Sequence, residues 1–144
     1  MITQWPVKIL LVYPKAPFLQ REKITIAADC SILINESFHD KFKKGETLII
    51  GCPLLENPDR IMNKITQIIK DTTASKIDVY TMEVPCCHAI HMMVKKAVKE
   101  LRKEDVDIKH YIVRVASGNV ELYKHGVIDE SMIEAERKAH EHTL

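Results

Sequence analysis

Short apolar runs alternate with helix-period segments along most of this chain, and that alternation limits what it can fold into. Residues 7–13 (VKILLVY) are apolar apart from Lys8 and stop at Pro14; residues 24–29 put Ile24, Ile26 and Ala28 on one face; residues 47–51 form a third run. Residues 76–82 and 111–116 form two more. Short runs that are apolar nearly throughout predict strands of a sheet covered on both faces. Between them, Pro58 and Asp59 open a segment in which Ile61, Ile65, Ile68 and Ile69 share one face of a helix. From about Cys87 to Lys103, Ile90, Val94, Ala97, Val98 and Leu101 mark a second amphipathic helix. Residues 37–42 predict a helical turn or two, Ser117-Gly118-Asn119 a turn, and residues 130–140 a short final helix.

Strand, helix, strand, helix, strand from Thr47 to Ala116 is the pattern of crossovers in a parallel sheet. The expected fold is therefore a three-layer, Rossmann-like α/β domain with a mostly parallel sheet, a single domain over residues 1–144. A chain of this size buries roughly 68–70% of its unfolded surface and needs no disulfide staples. With 46% hydrophobic and 28% charged residues, and only 4 Gly and 6 Pro, disordered and collagen-like classes are excluded. The net charge of +1 supplies no bulk field for nucleic acid or an anionic membrane, so neither is an expected partner. Pro6, Pro14 and Pro17 interrupt the N-terminal apolar stretch, which has no basic leader. A soluble, cytoplasmic protein is expected.

Four cysteines, Cys30, Cys52, Cys86 and Cys87, sit at three sites, each directly after a predicted strand. Ligands of open α/β sheets bind beyond the carboxyl ends of the strands, so parallel neighbouring strands would gather these sulfurs in one crevice. Thiolates select zinc, copper(I) or iron-sulfur clusters, and four Cys, or three Cys and a His, complete a tetrahedral zinc or a cubane cluster. No CxxC knuckle is present, so the fold itself must assemble the site. A lone buried Cys also serves as a small hydrophobe, and a purely packing role stands beside the ligand role. Cys86 and Cys87 fall where a strand enters a helix, and a helix N-terminus lowers a thiol pKa. His88 is a further donor there and His91, three residues on, another, although a solvent-facing or capping role is commoner for such a helix histidine. His39, Met92 and Met93 carry a weaker signal. Asp29, beside Cys30, and Glu83, three residues before Cys86, are candidate proton acceptors, with helix capping or solvent exposure the usual alternative. The chain contains no GxGxxG, GxxxxGK[ST] or GxSxG. Dinucleotide, phosphate-loop and esterase chemistry thus lose their usual support.

Residues 4–18 (QWPVKILLVYPKAPF), AADC at 27–30, Phe38-His39, LIIGCP at 48–53 and MEVPCC at 82–87 together resemble the C-terminal region of ferredoxin-type (4Fe-4S) iron-sulfur cluster-binding proteins of anaerobic bacteria and archaea. The resemblance covers about residues 2–115. Those proteins carry an N-terminal ferredoxin module with CxxCxxCxxxCP runs, which have no counterpart in these 144 residues. The resemblance implies Cys30, Cys52, Cys86 and Cys87 as cluster-site or redox thiols. Leu54-Leu55-Glu56-Asn57 and His88-Ala89 replace the family's usual residues after GCP and PCC, and His88 brings a new donor.

The leading expectation is a cysteine-rich metal-binding protein, with an iron-sulfur cluster or zinc held by Cys30, Cys52, Cys86 and Cys87 and by His88 or His91 as substitutes. It would act in or beside electron transfer, with a ferredoxin or other redox protein as partner. A thiol-dependent redox or sulfur-transfer enzyme using Cys86 or Cys87 is the second expectation. A binding or subunit-interaction module whose cysteines merely pack is the third, and a second copy of the chain, in a homo-oligomer, is a separate candidate partner.

Overall fold

The computed structural model describes residues 4–83, 85–103 and 105–123, with backbone only for 85–87. Five strands form one sheet: β1 (Lys23–Ala28), β2 (Leu48–Gly51), β3 (Lys76–Met82), β4 (Asp107–Val113) and β5 (Val120–Leu122). Their spatial order is β2-β1-β3-β4-β5, parallel throughout except for the antiparallel β4–β5 pair. Helices α1 (Asp29–Ile34) and α2 (Ser37–Lys43) connect β1 to β2. Helix α3 (Pro58–Asp71) connects β2 to β3, and α4 (Pro85–Glu100) connects β3 to β4.

Every residue of β1 after Lys23 is buried, which is why that segment reads as a continuous apolar run. The two sheet faces separate at adjacent residues of β4. Tyr111 stacks on Tyr80 of β3, and Phe38 of α2 meets Tyr80 edge-on at 4.7 Å. His110 faces the other way, toward His91 of α4. Helices α2 and α4 therefore cover opposite faces, and the three-layer expectation holds. Helix α3 packs beside α4. Its start is fixed by Asn57, whose side chain accepts the N–H groups of Asp59 (2.9 Å) and Arg60 (3.3 Å), and by Pro58 in the first turn. Ile61, Ile65, Ile68 and Ile69 are fully buried, as their spacing predicts. No helix among the described residues is long and apolar enough to cross a membrane.

Residues 7–13 are not a strand. Ile9–Leu11 form a 3-10 turn, and only Lys8 bridges to Ile50, beside β2. The run turns Ile9 and Val12 inward and leaves Leu11 and Tyr13 exposed, a spacing of three that belongs to a turn. Strand β4 begins at Asp107, four residues earlier than expected, because Asp107 and Lys109 point outward between inward residues. Helix α1 and strand β5 are additions to the predicted elements. The expected helix at 130–140, with His140 and His142, lies outside the described residues.

Candidate functional site

The three cysteine-bearing connections leave β2, β1 and β3, which are parallel and adjacent. The chain passes from β1 outward to β2, then back across β1 to β3, so the strand order reverses between β1 and β3. That reversal opens a crevice at the carboxyl edge of an α/β sheet. Cys30 is exposed in the first turn of α1 and Cys52 is half-buried just after β2. Cys86 and Cys87 lie in the first turn of the sixteen-residue helix α4. Among the described residues, no three His, Cys, Asp or Glu side chains form a metal-binding group.

A lysine ties the start of α1, which carries Cys30, to the loop that carries Cys52. The Lys8 ammonium donates to Asp29 Oδ2 at 2.5 Å and also pairs with Glu56. Asp29 precedes Cys30, and the Glu56 N–H donates to the Cys52 carbonyl at 2.9 Å. One side chain thus fixes the start of α1 against the loop after β2. Partial burial alone would lower the Lys8 pKa; the hydrogen bonds and charges of Asp29 and Glu56 outweigh it and hold the ammonium above its ordinary value. Asp29 Oδ1 and Glu56 Oε2 are buried, without hydrogen-bond partners among the described residues. Gly51 makes the approach possible: a Cβ there would stand 2.9 Å from Ile9 Cδ1 and 3.4 Å from Glu56 Oε2. Asp29 is therefore an ion-pair partner rather than a solvent-facing acid.

Glu83 is likewise committed. It is 8% exposed, accepts the Val115 N–H at 2.5 Å, and pairs with Arg114 at 3.2 Å. This joins the end of β3, just before the thiol pair, to the turn between β4 and β5. Arg114 also binds Glu121 of β5 at 2.9 Å. His39 is exposed on α2. Met92 is exposed and Met93 half-buried on α4.

His88 and His91 face β4. His91 is only 4% exposed, stacked flat on His110 with ring centroids 4.3 Å apart and planes 10° from parallel. His88 meets His110 edge-on at 5.2 Å and lies 5.2 Å from the Tyr123 ring. His110 is hydrogen-bonded through Nε2 to the Thr81 hydroxyl at 2.7 Å. The solvent-facing role expected of His91 gives way to burial, since α4 lays this face over β4. Sequence reasoning passed over Lys8, Glu56, His110, Thr81 and Tyr123. For His110 a signal existed: alternation from Asp107 puts it on the inward side with Ile108 and Ile112. Lys8 and Glu56 carried none, being two ordinary charges far apart in the chain.

Comparisons with known proteins agree with this architecture. A protein of Archaeoglobus fulgidus, described as uncharacterized, is 57% identical over 139 residues, which is 96% of either chain. No solved structure matches the chain. The family model described as Rossmann-like domain matches residues 16–144, all five strands included, and the chain belongs to that family.

Proposed function

We propose that this protein holds a metal centre, an iron-sulfur cluster or zinc, on cysteine thiolates at the carboxyl edge of β2, β1 and β3, and works in or beside electron transfer in the cytoplasm. The observation that carries the reading is the strand order, which sends Cys30, Cys52 and the Cys86-Cys87 pair out of three adjacent parallel strands at one edge. The donor set is soft, which suits both a cluster and zinc. Cys30 and Cys52 are accessible but number only two, so Cys86 and Cys87 must complete a tetrahedral set. His91 is the poorest substitute, being stacked within the interior on His110. A bound cluster would supply one-electron transfer. The chain's own contribution is to hold the start of α1 against the loop after β2 through Lys8 and to place Cys86 and Cys87 in the first turn of α4. The resemblance to the C-terminal region of ferredoxin-type iron-sulfur proteins supports the cluster over zinc and suggests a separate ferredoxin as partner.

The test is metal, sulfide and absorption analysis of protein purified without oxygen. Stoichiometric iron and sulfide, or zinc, is expected, and loss of it in Cys52→Ser and Cys86→Ser. Metal-free protein whose stability is unchanged by chelators would overturn the proposal. The place of Cys86 and Cys87 in the first turn of α4 favours one second reading, a reactive thiolate. That thiolate attacks a substrate disulfide to form a mixed disulfide and release one thiol. A second protein thiol then displaces the other, leaving a protein disulfide and a reduced substrate. Rapid alkylation below pH 7, with no metal present, identifies this case.

A further inference from the structure

Beside the thiol edge, a groove of about 620 Å³ runs between the start of α3 and helix α4, and the proposed function leaves it unused. Met62 of α3 and Ala89, Met92 and Met93 of α4 give it apolar walls. Met92 is 58% exposed, and Leu54 and Leu55, in the turn between Cys52 and α3, are 68% and 84% exposed. Apolar side chains gathered in one place and rimmed by charge mark a contact with another macromolecule, which singly scattered ones do not. Methionine, unbranched and polarizable, suits a surface that must accept an uneven partner. The charge around this surface is one-sided. Lys95, Lys96 and Lys99, all exposed on α4, line the groove against a single described carboxylate, Asp59 in the first turn of α3. Lys96 reaches Glu100 at 3.9 Å, and neither Lys95 nor Lys99 has a carboxylate partner among the described residues. The two qualities are also separated along the helix. At about 1.5 Å per residue, Ala89 and Met92 stand about 3 and 8 Å beyond Cys87 along the α4 axis, and the lysines about 12–18 Å beyond it. The apolar walls are therefore at the thiol end of the groove and the ammonium groups farther out.

We infer that this groove docks an acidic redox protein, which seats an apolar side chain among Met62, Met92 and Met93 and sets carboxylates against Lys95, Lys96 and Lys99. The lysines steer and orient the partner, and the apolar end brings it close to the first turn of α4. A groove of this size makes a small contact, of the kind that weak electron-transfer encounters use. A bilayer is a poorer match, because a helix that lies in lipid must spend its apolar face there, and α4 buries Ile90, Val94, Ala97 and Val98 against the rest of the fold. The choice of a redox protein rests on the proposed electron-transfer function, whereas the surface itself does not depend on a metal.

The full chain, purified without oxygen, is titrated calorimetrically with a two-cluster bacterial ferredoxin of net negative charge and with cytochrome c, a redox protein of net positive charge. Methyl resonances of labelled methionine are followed by NMR. Saturable one-to-one binding of the ferredoxin is expected, weakening as salt rises from about 0.1 M to about 1 M and the screening length falls from about 10 Å to about 3 Å. Met62, Met92 and Met93 should respond, and Met82, buried in β3, should stay still. Lys95→Glu combined with Lys99→Glu, at exposed positions, should weaken binding at least about tenfold by turning two attractions into repulsions. Lys44→Glu, exposed at the end of α2 on the opposite face, should leave it within about twofold. Repeating the titration on Cys52→Ser separates the two readings: ferredoxin binding by metal-free protein keeps this surface and removes the proposed centre, and a metal-loaded chain that does not bind does the reverse. The inference fails if no binding tighter than about 1 mM is found, if cytochrome c binds as well as the ferredoxin, or if the lysine variant binds like the parent. It fails too if those lysines govern instead the binding of phosphatidylserine–phosphatidylcholine vesicles, or a dimer of the chain.

Discussion

Lys8 is the cation for two carboxylates on different elements, Asp29 at the start of α1 and Glu56 after β2. Replacing it, as in Lys8→Met, leaves Asp29 and Glu56 partly desolvated with no cation between them. The expected loss is about 1–2 kcal/mol, above the value of an exposed pair and below that of a fully buried one. A lowered urea midpoint at unchanged slope checks this, and adding Glu56→Gln to Lys8→Met should recover part of the loss. None of this is visible in the sequence, since Asp29 and Glu56 lie 21 and 48 residues from Lys8 and nothing local distinguishes them from other surface acids. His110 is the opposite case. Its inward side follows from alternation once the strand is started at Asp107, and the outward Asp107 and Lys109 are what hide that start.

The elements whose pattern lies within one segment were readable, and those made by distant contact were not. Helix α3 follows from its isoleucine spacing and its Asn57-Pro58 start; β1, β2 and β3 follow from apolar runs. Residues 7–13 fail as a strand because their position is set by Gly51, whose bare Cα lets Ile9 lie against the end of β2. Gly51→Ala would force Ile9 and Glu56 to move and should destabilise the fold by about 1–3 kcal/mol, measured by denaturant unfolding. The end of α4 works in the other direction. Arg102 sits at φ 55°, and the turn it makes brings the Lys103 N–H to the Val98 carbonyl at 3.1 Å and the Lys103 ammonium to the end of α3, where it donates to the carbonyls of Ile69, in the last turn, and of Thr72, just beyond it, the latter at 3.1 Å. A side chain in that left-handed region costs about 1–2 kcal/mol, and part of this is returned to the unfolded chain's entropy when glycine replaces it. Arg102→Gly should therefore raise the stability by about 0.5–1 kcal/mol. A midpoint that falls instead would mean that the arginine side chain has a stabilising partner.

At the scale of the whole molecule, the sheet separates two kinds of chemistry. The cysteine-bearing connections leave its carboxyl edge, and His91 and His110 are buried where α4 covers β4. The carboxyl-edge position was legible because strand ends can be read from the sequence, while that burial was not, because it depends on which face α4 covers. The opposite face sets how the molecule responds to alkali. Tyr80 is buried there beside Asp78, and burial first, then that carboxylate, pushes its phenol from 10.0 up to about 12. The folded protein keeps the proton that the unfolded chain gives up above pH 10.0, so stability falls between pH 10.0 and about 12. The difference amounts to roughly 2–3 kcal/mol. Lys8 and Lys23 act in the same window. Burial lowers each pKa, but the hydrogen bonds and charges of Asp29 and Glu56 on Lys8, and the charge of Asp78 on Lys23, raise both above 10.5. Their contribution is complete below pH 10.5 and lost as the pH rises through the raised values. Urea midpoints should therefore drop steeply above about pH 10. Tyr80→Phe should flatten that drop and remove the phenolate absorbance that appears last. If the midpoint of Tyr80→Phe falls over this range as steeply as that of the parent, the alkaline response belongs to the lysine pairs and not to the buried phenol.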